Sequence, residues 1–269
     1  MEIPGVTSVD WSAPWLAPIR AIGAAISSRA DWLVALNRVA EERGVRNHRG
    51  QRIVFVEPRA AQDEPYESFI ARTGAVPTRP HLHDFFNALM FLHLPKSKAE
   101  LNRLQSAAIE RDGIRAVRGP IRDAATLIDE NAVVLVTRLE ELVNALRQHD
   151  WPEVFLRRRV AWNRDIKPLA FGHALLEKLV RPYKAITAHA IHVSLEADAS
   201  LTEVDQRLAS LLDEGLTPVE LMPLPVLGIP DWYAPNAFPG FYQDDRIFRP
   251  ATMRRPRTPE KRSNETRRT

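Results

Sequence analysis

Residues 81–111 read HLHDFFNALMFLHLPKSKAELNRLQSAAIER, and this stretch decides the fold class. His81 to Leu92 follows a helical pattern that stops before Pro95. Proline has no amide hydrogen to lose at the first position of a helix, so a second helix is expected from Pro95 to Arg111. Two helices joined so closely form a hairpin.

Downstream, Gly119-Pro120 opens a further helix (IRDAATLI), Asp129-Glu130-Asn131 reads as a turn, and Ala132–Val136 (AVVLV) as a strand. Helices are expected at Arg138–His149, around Trp151–Trp162 and at Pro168–Val180, while residues 186–195 fit helix or strand. Thr202 is the expected N-cap of a helix ending near Asp213. Upstream, residues 10–18 form an irregular aromatic segment, Ile19–Arg43 one or two helices, Gln51–Glu57 a strand, and Gln62–Ile70 a short helix. A proline-rich arm runs to Pro250, its regular structure forbidden by proline and its position pinned by Trp232, Tyr233, Phe238, Phe241, Tyr242 and Phe248. With no repeat and no clean linker, the expected fold is α+β and predominantly helical. It is a single compact domain over residues 1–250 with few short strands, an extended Pro/aromatic-rich C-terminal arm and a disordered basic tail at 251–269.

Composition excludes several functions. Apolar residues make up 45% of the 269, enough for a core. There is no cysteine, hence no disulfide, thiolate metal site, iron–sulfur cluster or cysteine nucleophile. The formal net charge is +3, but residues 251–269 hold seven Lys/Arg against two Glu, which leaves the body slightly acidic. An extended nucleic-acid groove is therefore disfavoured, and any such association is expected only through the tail. No basic leader and no apolar run of spanning length are visible, so the expected location is the cytoplasm, with no membrane partner.

Four constellations could carry chemistry. His83, Asp84 and Asn87 share one edge of a helix, where imidazole, carboxylate and amide suit a metal or a general base. Lys96, Lys98, Asn102 and Gln105 open the next helix, where a positive N-terminus and two lysines suit an anion. Lysines in a solvated first turn are ordinary and that reading leads, and Walker-type glycines are absent. Asp123 and the Asp129-Glu130-Asn131 turn could complete a metal site, although turns attract such residues anyway. His173 and Glu177 stand at i and i+4, a metal-ligand spacing that a buried, hydrogen-bonded histidine explains nearly as well. His189 and His192 follow. No GxSxG elbow marks a serine nucleophile.

The strings HDFFNALMFLHLPKSKAELN, RDAATLIDEN, PLAFGHALLEKLVRPYKAITAH and PLPVLGIP…FYQDDRIFRP resemble an uncharacterised bacterial family catalogued as domain of unknown function 3025, over about residues 60–250. The resemblance carries no activity. It implies that the motifs belong to one domain. Two positions depart from the family's pattern: Asp231 stands where a glycine usually precedes the tryptophan, and His93 is not usually histidine.

The leading expectation is a metal-assisted hydrolase acting on a phosphoester or other anionic small molecule, with a divalent metal as the candidate cofactor. His83, Asp84, Asn87 and His173 are its candidate catalytic residues. The metal would be held among His83, Asp84, His173, Glu177 and Asp129, and the substrate by Lys96, Lys98, Asn102 and Gln105. The rivals are a non-catalytic binding or assembly protein whose polar motifs are structural networks, and weak nucleic-acid association through the tail.

Overall fold

The computed structural model describes residues 2–61, 64–113, 120–215 and 221–250. The expected tail, Gly119 and the start of the helix at Gln62 lie outside them. The described chain is predominantly helical, with a few short strands.

Helices α1 (Arg20–Ser27), α2 (Trp32–Glu42) and α3 (Tyr66–Thr73) precede the central hairpin of α4 (Leu82–His93) and α5 (Pro95–Asp112). Strands β1 (Val54–Val56) and β2 (Ala75–Pro77) pair in parallel beside them. Helix α4 is buried almost all round, including Phe85, Phe86, Leu89, Met90 and Leu92, so it is the core of the helical layer rather than an amphipathic cover. Burial obliges its polar residues to find partners: Asp84 meets Arg79, Asn87 meets Lys98, and His93 Nδ1 lies 2.8 Å from the Leu89 carbonyl. The 10–18 segment packs Trp11 against Phe85 and Phe86.

Four strands form the main sheet: β3 (Ala132–Thr137), β4 (Ile166–Ala170), β5 (Thr187–Val193) and β6 (Met222–Pro225), in the order β4-β3-β5-β6. β3 is fully buried, as its unbroken apolar run requires. Prolines 168, 223 and 225 lie on the two edge strands, where a missing amide costs no ladder bond. Residues 186–195 thus resolve as strand.

The reading of Pro168–Val180 as one helix is corrected. Its first part is edge strand β4, and only His173–Lys178 is helix (α8), because the backbone of Phe171 and Gly172 turns to donate to the Ala132 carbonyl. Asp129-Glu130-Asn131 is likewise not a free turn but the last turn of α6 (Pro120–Asn131). Helices α7 (Glu140–Arg147) and α9 (Leu201–Asp213) complete the set, with π and 3-10 turns over Pro152–Asn163. The N-cap of α9 is Ser200 rather than Thr202; its hydroxyl accepts from Glu203 N while Glu203 accepts from Ser200 N. The arm, expected to lack regular structure, begins within edge strand β6 and then settles as short 3-10 turns with Trp232, Phe241, Tyr242 and Phe248 buried, while Phe238 is exposed.

Candidate functional site

Sheet register builds the site. β3 runs antiparallel to β4 with Val133 opposite Ala170. Three residues back from Val133 is Glu130 at the end of α6, and three beyond Ala170 is His173 at the start of α8. Both therefore leave the sheet at the same end. Gly172 permits the close approach: a Cβ there would stand 2.5 Å from both the Asn131 nitrogen and the Glu130 carbonyl oxygen. Helix α4, packed on α8, brings His83 in its first turn to the same point.

His83 Nε2 and His173 Nε2 each lie 3.4 Å from Glu130 Oε2. The two imidazoles meet edge to face with centroids 4.4 Å apart. Donors of the three residues all fall within 4.8 Å of one another. Ligands at about 2.1 Å from one tetrahedral ion sit roughly 3.4 Å apart, so these separations suit a shared divalent ion.

Behind each imidazole stands a carboxylate. His83 Nδ1 is 3.1 Å from Asp84 Oδ1, and Asp84 is gripped by both Nε and Nη2 of Arg79 at 2.9 Å. His173 Nδ1 is buried without a hydrogen-bond partner among the described residues and lies 3.9 Å from Asp129 Oδ1. At His83 a carboxylate bonded to the far nitrogen fixes ring orientation and leaves Nε2 for a ligand, whereas Asp129 stands beyond hydrogen-bond reach of His173 Nδ1. Asp84 and Asp129, expected as metal ligands, lie on the Nδ1 sides of the two rings, away from the Nε2 atoms that meet Glu130. Asp129 is also paired with buried Lys98, whose Nζ donates to Asn87 Oδ1 at 2.7 Å. Asn87 in turn donates to the Tyr66 hydroxyl at 3.0 Å.

The environments push the titrating groups apart. Hydrogen bonds to Asp84 and then Glu130 raise His83 to about 9, while burial lowers His173 to about 4. Burial opposes the charge of Asp84, but His83 and Arg79 outweigh it and hold the carboxyl well below its ordinary range. The His83 hydrogen bond keeps Glu130 low as well. Glu67 differs: burial, then Asp129, lifts it to about 7, although Asn102 donates to it at 2.7 Å.

These groups open on a cleft of about 520 Å³ walled by α3, α4, α6 and α8. Of the expected residues, His83, Asp84, Asn87, Gln105, Asp129 and His173 line it. Asn102 stands behind Glu67, and Lys98 behind Asp129. Two expectations are corrected. Lys96 is away from the cleft, its amide bound to Asp205 and its ammonium to Gln206. Glu177 sits one turn along α8 and faces His81 at 3.6 Å, which removes it from the His83–Glu130–His173 cluster. His189 and His192 are on β5 and do not line the cleft. Sequence reasoning did not single out Tyr66, Glu67, Arg79 or Arg122, and it offered Glu130 only within a group of turn residues that could complete a metal site. A signal existed for two of them: Arg122, Thr126 and Glu130 recur at i, i+4 and i+8, one face of α6.

No curated protein and no solved structure matches the chain. The family model described as "Protein of unknown function (DUF3025)" matches residues 53–252, a span that takes in every residue lining the cleft, and the chain belongs to that family.

Proposed function

We propose that the cleft is the active site of a metal-assisted hydrolase acting on an anionic small molecule of the phosphoester class, with His83, His173 and Glu130 as ligands of one divalent ion. The observation that carries this reading is the pair of 3.4 Å separations from Glu130 Oε2 to the two Nε2 atoms, with Asp84 bonded behind His83 and Asp129 3.9 Å from the far nitrogen of His173. Two histidines and one glutamate form a known catalytic ligand set for zinc with a position left open. Such an ion supplies a Lewis acid and an activated water. Glu67, held near neutrality in the same cleft, is suited to carry a proton to or from the reacting group.

The experiment is elemental analysis of the natively purified protein, with melting temperatures in zinc, manganese, magnesium and chelator. Near-stoichiometric metal is expected, lost in His83→Ala and in His173→Ala with the fold retained. At a hundredfold excess of ion over Kd the stabilisation is about 2.7 kcal/mol. A protein that carries no metal, and whose melting no ion shifts, overturns the reading.

The rival, a binding or assembly protein, draws support from the Lys98–Asp129 pair and from Asp205 at the start of α5, where polar groups satisfy only one another. On that reading His83→Ala lowers stability and changes no metal content.

A further inference from the structure

The two lysines expected to hold an anion are committed elsewhere, Lys96 outside the cleft and Lys98 to Asp129. Another cation faces the cleft with donor capacity unused. Arg122 lines it, its Nε is buried without a hydrogen-bond partner among the described residues, and its charge acts on the Glu67 carboxyl only from beyond ion-pair contact. The other arginine on the wall, Arg79, is matched by Asp84.

We propose that Arg122 is a dedicated subsite for an anionic oxygen group of the phosphate or carboxylate class, set apart from the metal ligands. The substrate is then an extended molecule with an anionic handle at one end and its scissile bond at the other. The position of the scissile bond rests on the function proposed above; the anion subsite itself does not.

Three further observations support this. Arg122, Thr126 and Glu130 lie in a row along α6, and eight residues at about 1.5 Å each separate the two ends by roughly 12 Å. That spacing of the anchoring backbone suits a ligand longer than a lone phosphate. Next, hydrogen-bond capacity on the opposite wall is left as donor capacity. Asn87 already donates to the Tyr66 oxygen at 3.0 Å, so the Tyr66 hydroxyl keeps its own hydrogen to give. Finally, Glu67, which would repel an anion when ionised, is driven by burial toward its neutral form, and a neutral carboxyl donates. Arginine's planar fork is suited to two oxygens of one anion. A buried Nε donor without a partner is costly, and an incoming anion removes that cost.

The test uses the full-length protein, treated with chelator, at pH 6.5. Inorganic phosphate and acetate are titrated separately by calorimetry and thermal shift into the unsubstituted protein, Arg122→Gln and Tyr66→Phe. Binding of at least one anion is expected, and the tighter of the two identifies the handle. Arg122→Gln should weaken it about tenfold or more, as loss of charge-assisted bonds does, and Tyr66→Phe a few-fold. Arg122→Lys keeps the charge without the fork and should fall between. Circular dichroism and metal uptake of Arg122→Gln should match the unsubstituted protein, separating lost binding from lost fold. Absence of binding by either anion, or binding undiminished in Arg122→Gln and Arg122→Lys, overturns the subsite. Absence of metal uptake when the chelator is dialysed out and zinc is added back overturns the hydrolase reading and leaves the anion result standing.

Discussion

On the proposed reading, His83 carries the proton that a bound metal ion would displace. Its folded value of about 9 means it is protonated at neutral pH when no ion is bound, while His173, lowered to about 4, is already neutral. Asp84 and Glu130 are held ionised. Metal uptake should therefore release one proton, and affinity should rise about tenfold per pH unit from pH 5 to 8, flattening above about 9. Zinc titrations across that range, compared with the release measured by a pH indicator, check this; a pH-independent affinity would mean that His83 is not a ligand. The sign is opposite for the metal-free fold. A histidine raised above its unfolded value of about 6.5 stabilises fully below that pH and loses the contribution as pH climbs through 9. Asp231 makes a second residue-scale case. Its φ of +66° is the left-handed region that favours glycine. The family's usual glycine at this place, noted in the sequence as a departure, thus has a backbone reason. Asp231→Gly should stabilise by up to about 1 kcal/mol if relief of the left-handed backbone outweighs the loss of the aspartate's contacts, of which the one to Arg159 at 3.9 Å is exposed. A melting curve that moves down would show that the aspartate's contacts outweigh the strain. At this scale the sequence was readable where residue type is decisive: His83, Asp84 and Asn87 share a helix edge by spacing alone. It could not reveal that Asp84 faces Nδ1 rather than the ligand nitrogen, because that depends on Arg79 from the preceding loop.

Helix ends organise the site and account for what the sequence concealed. The start of α5 was read as an anion site, and an anion does occupy it, supplied by the chain itself. Asp205 on α9 accepts from the amides of Lys96 and Ser97 at 2.9 and 2.8 Å and from the Ser97 hydroxyl at 2.7 Å. The partner is more than a hundred residues away, which no local pattern announces. Asp205→Ala should cost about 2–4 kcal/mol, the loss of a cap that leaves buried donors unpaired, and chemical denaturation would measure it. A loss below about 0.5 kcal/mol would show that water replaces the carboxylate. The start of α8 is governed by Gly172, whose φ of −61° is ordinary, so the constraint is steric. Gly172→Ala should push α8 off Asn131 and Glu130, with a cost of about 1–3 kcal/mol and weakened metal uptake. Uptake unchanged in a folded Gly172→Ala protein would mean that the two element ends need not be so close. The PLAFG run was misread as helix for a related reason. Its strand character comes from pairing with β3, a tertiary choice that overrides local propensity.

Across the whole molecule, one hydrophobic cluster extends from Ile3 to Phe248 and takes in both the helical layer and the sheet. No helix among the described residues is long and apolar enough to cross a membrane. The predominance of helix and the few strands were readable from periodicity. The sheet order was not, because β3 and β5 are parallel neighbours joined through β4 and α8, and nothing local encodes that crossover. The cleft lies where helix ends meet one end of the sheet, and no residue of the C-terminal arm lines it. The arm therefore contributes to stability and leaves the site's geometry to the helices. Phe248 tests this division. It is buried against Trp151, Phe155, Phe241 and Tyr242, and Gly228 is held bare of a side chain beneath it. Phe248→Ala removes a large ring from a packed cluster and should cost about 3–5 kcal/mol. If the arm belongs to the same cooperative unit as the sheet, calorimetry should show one transition shifted to lower temperature. Metal stoichiometry below that transition should be unchanged. A second, early transition with the main one left in place would instead make the arm a separately unfolding segment.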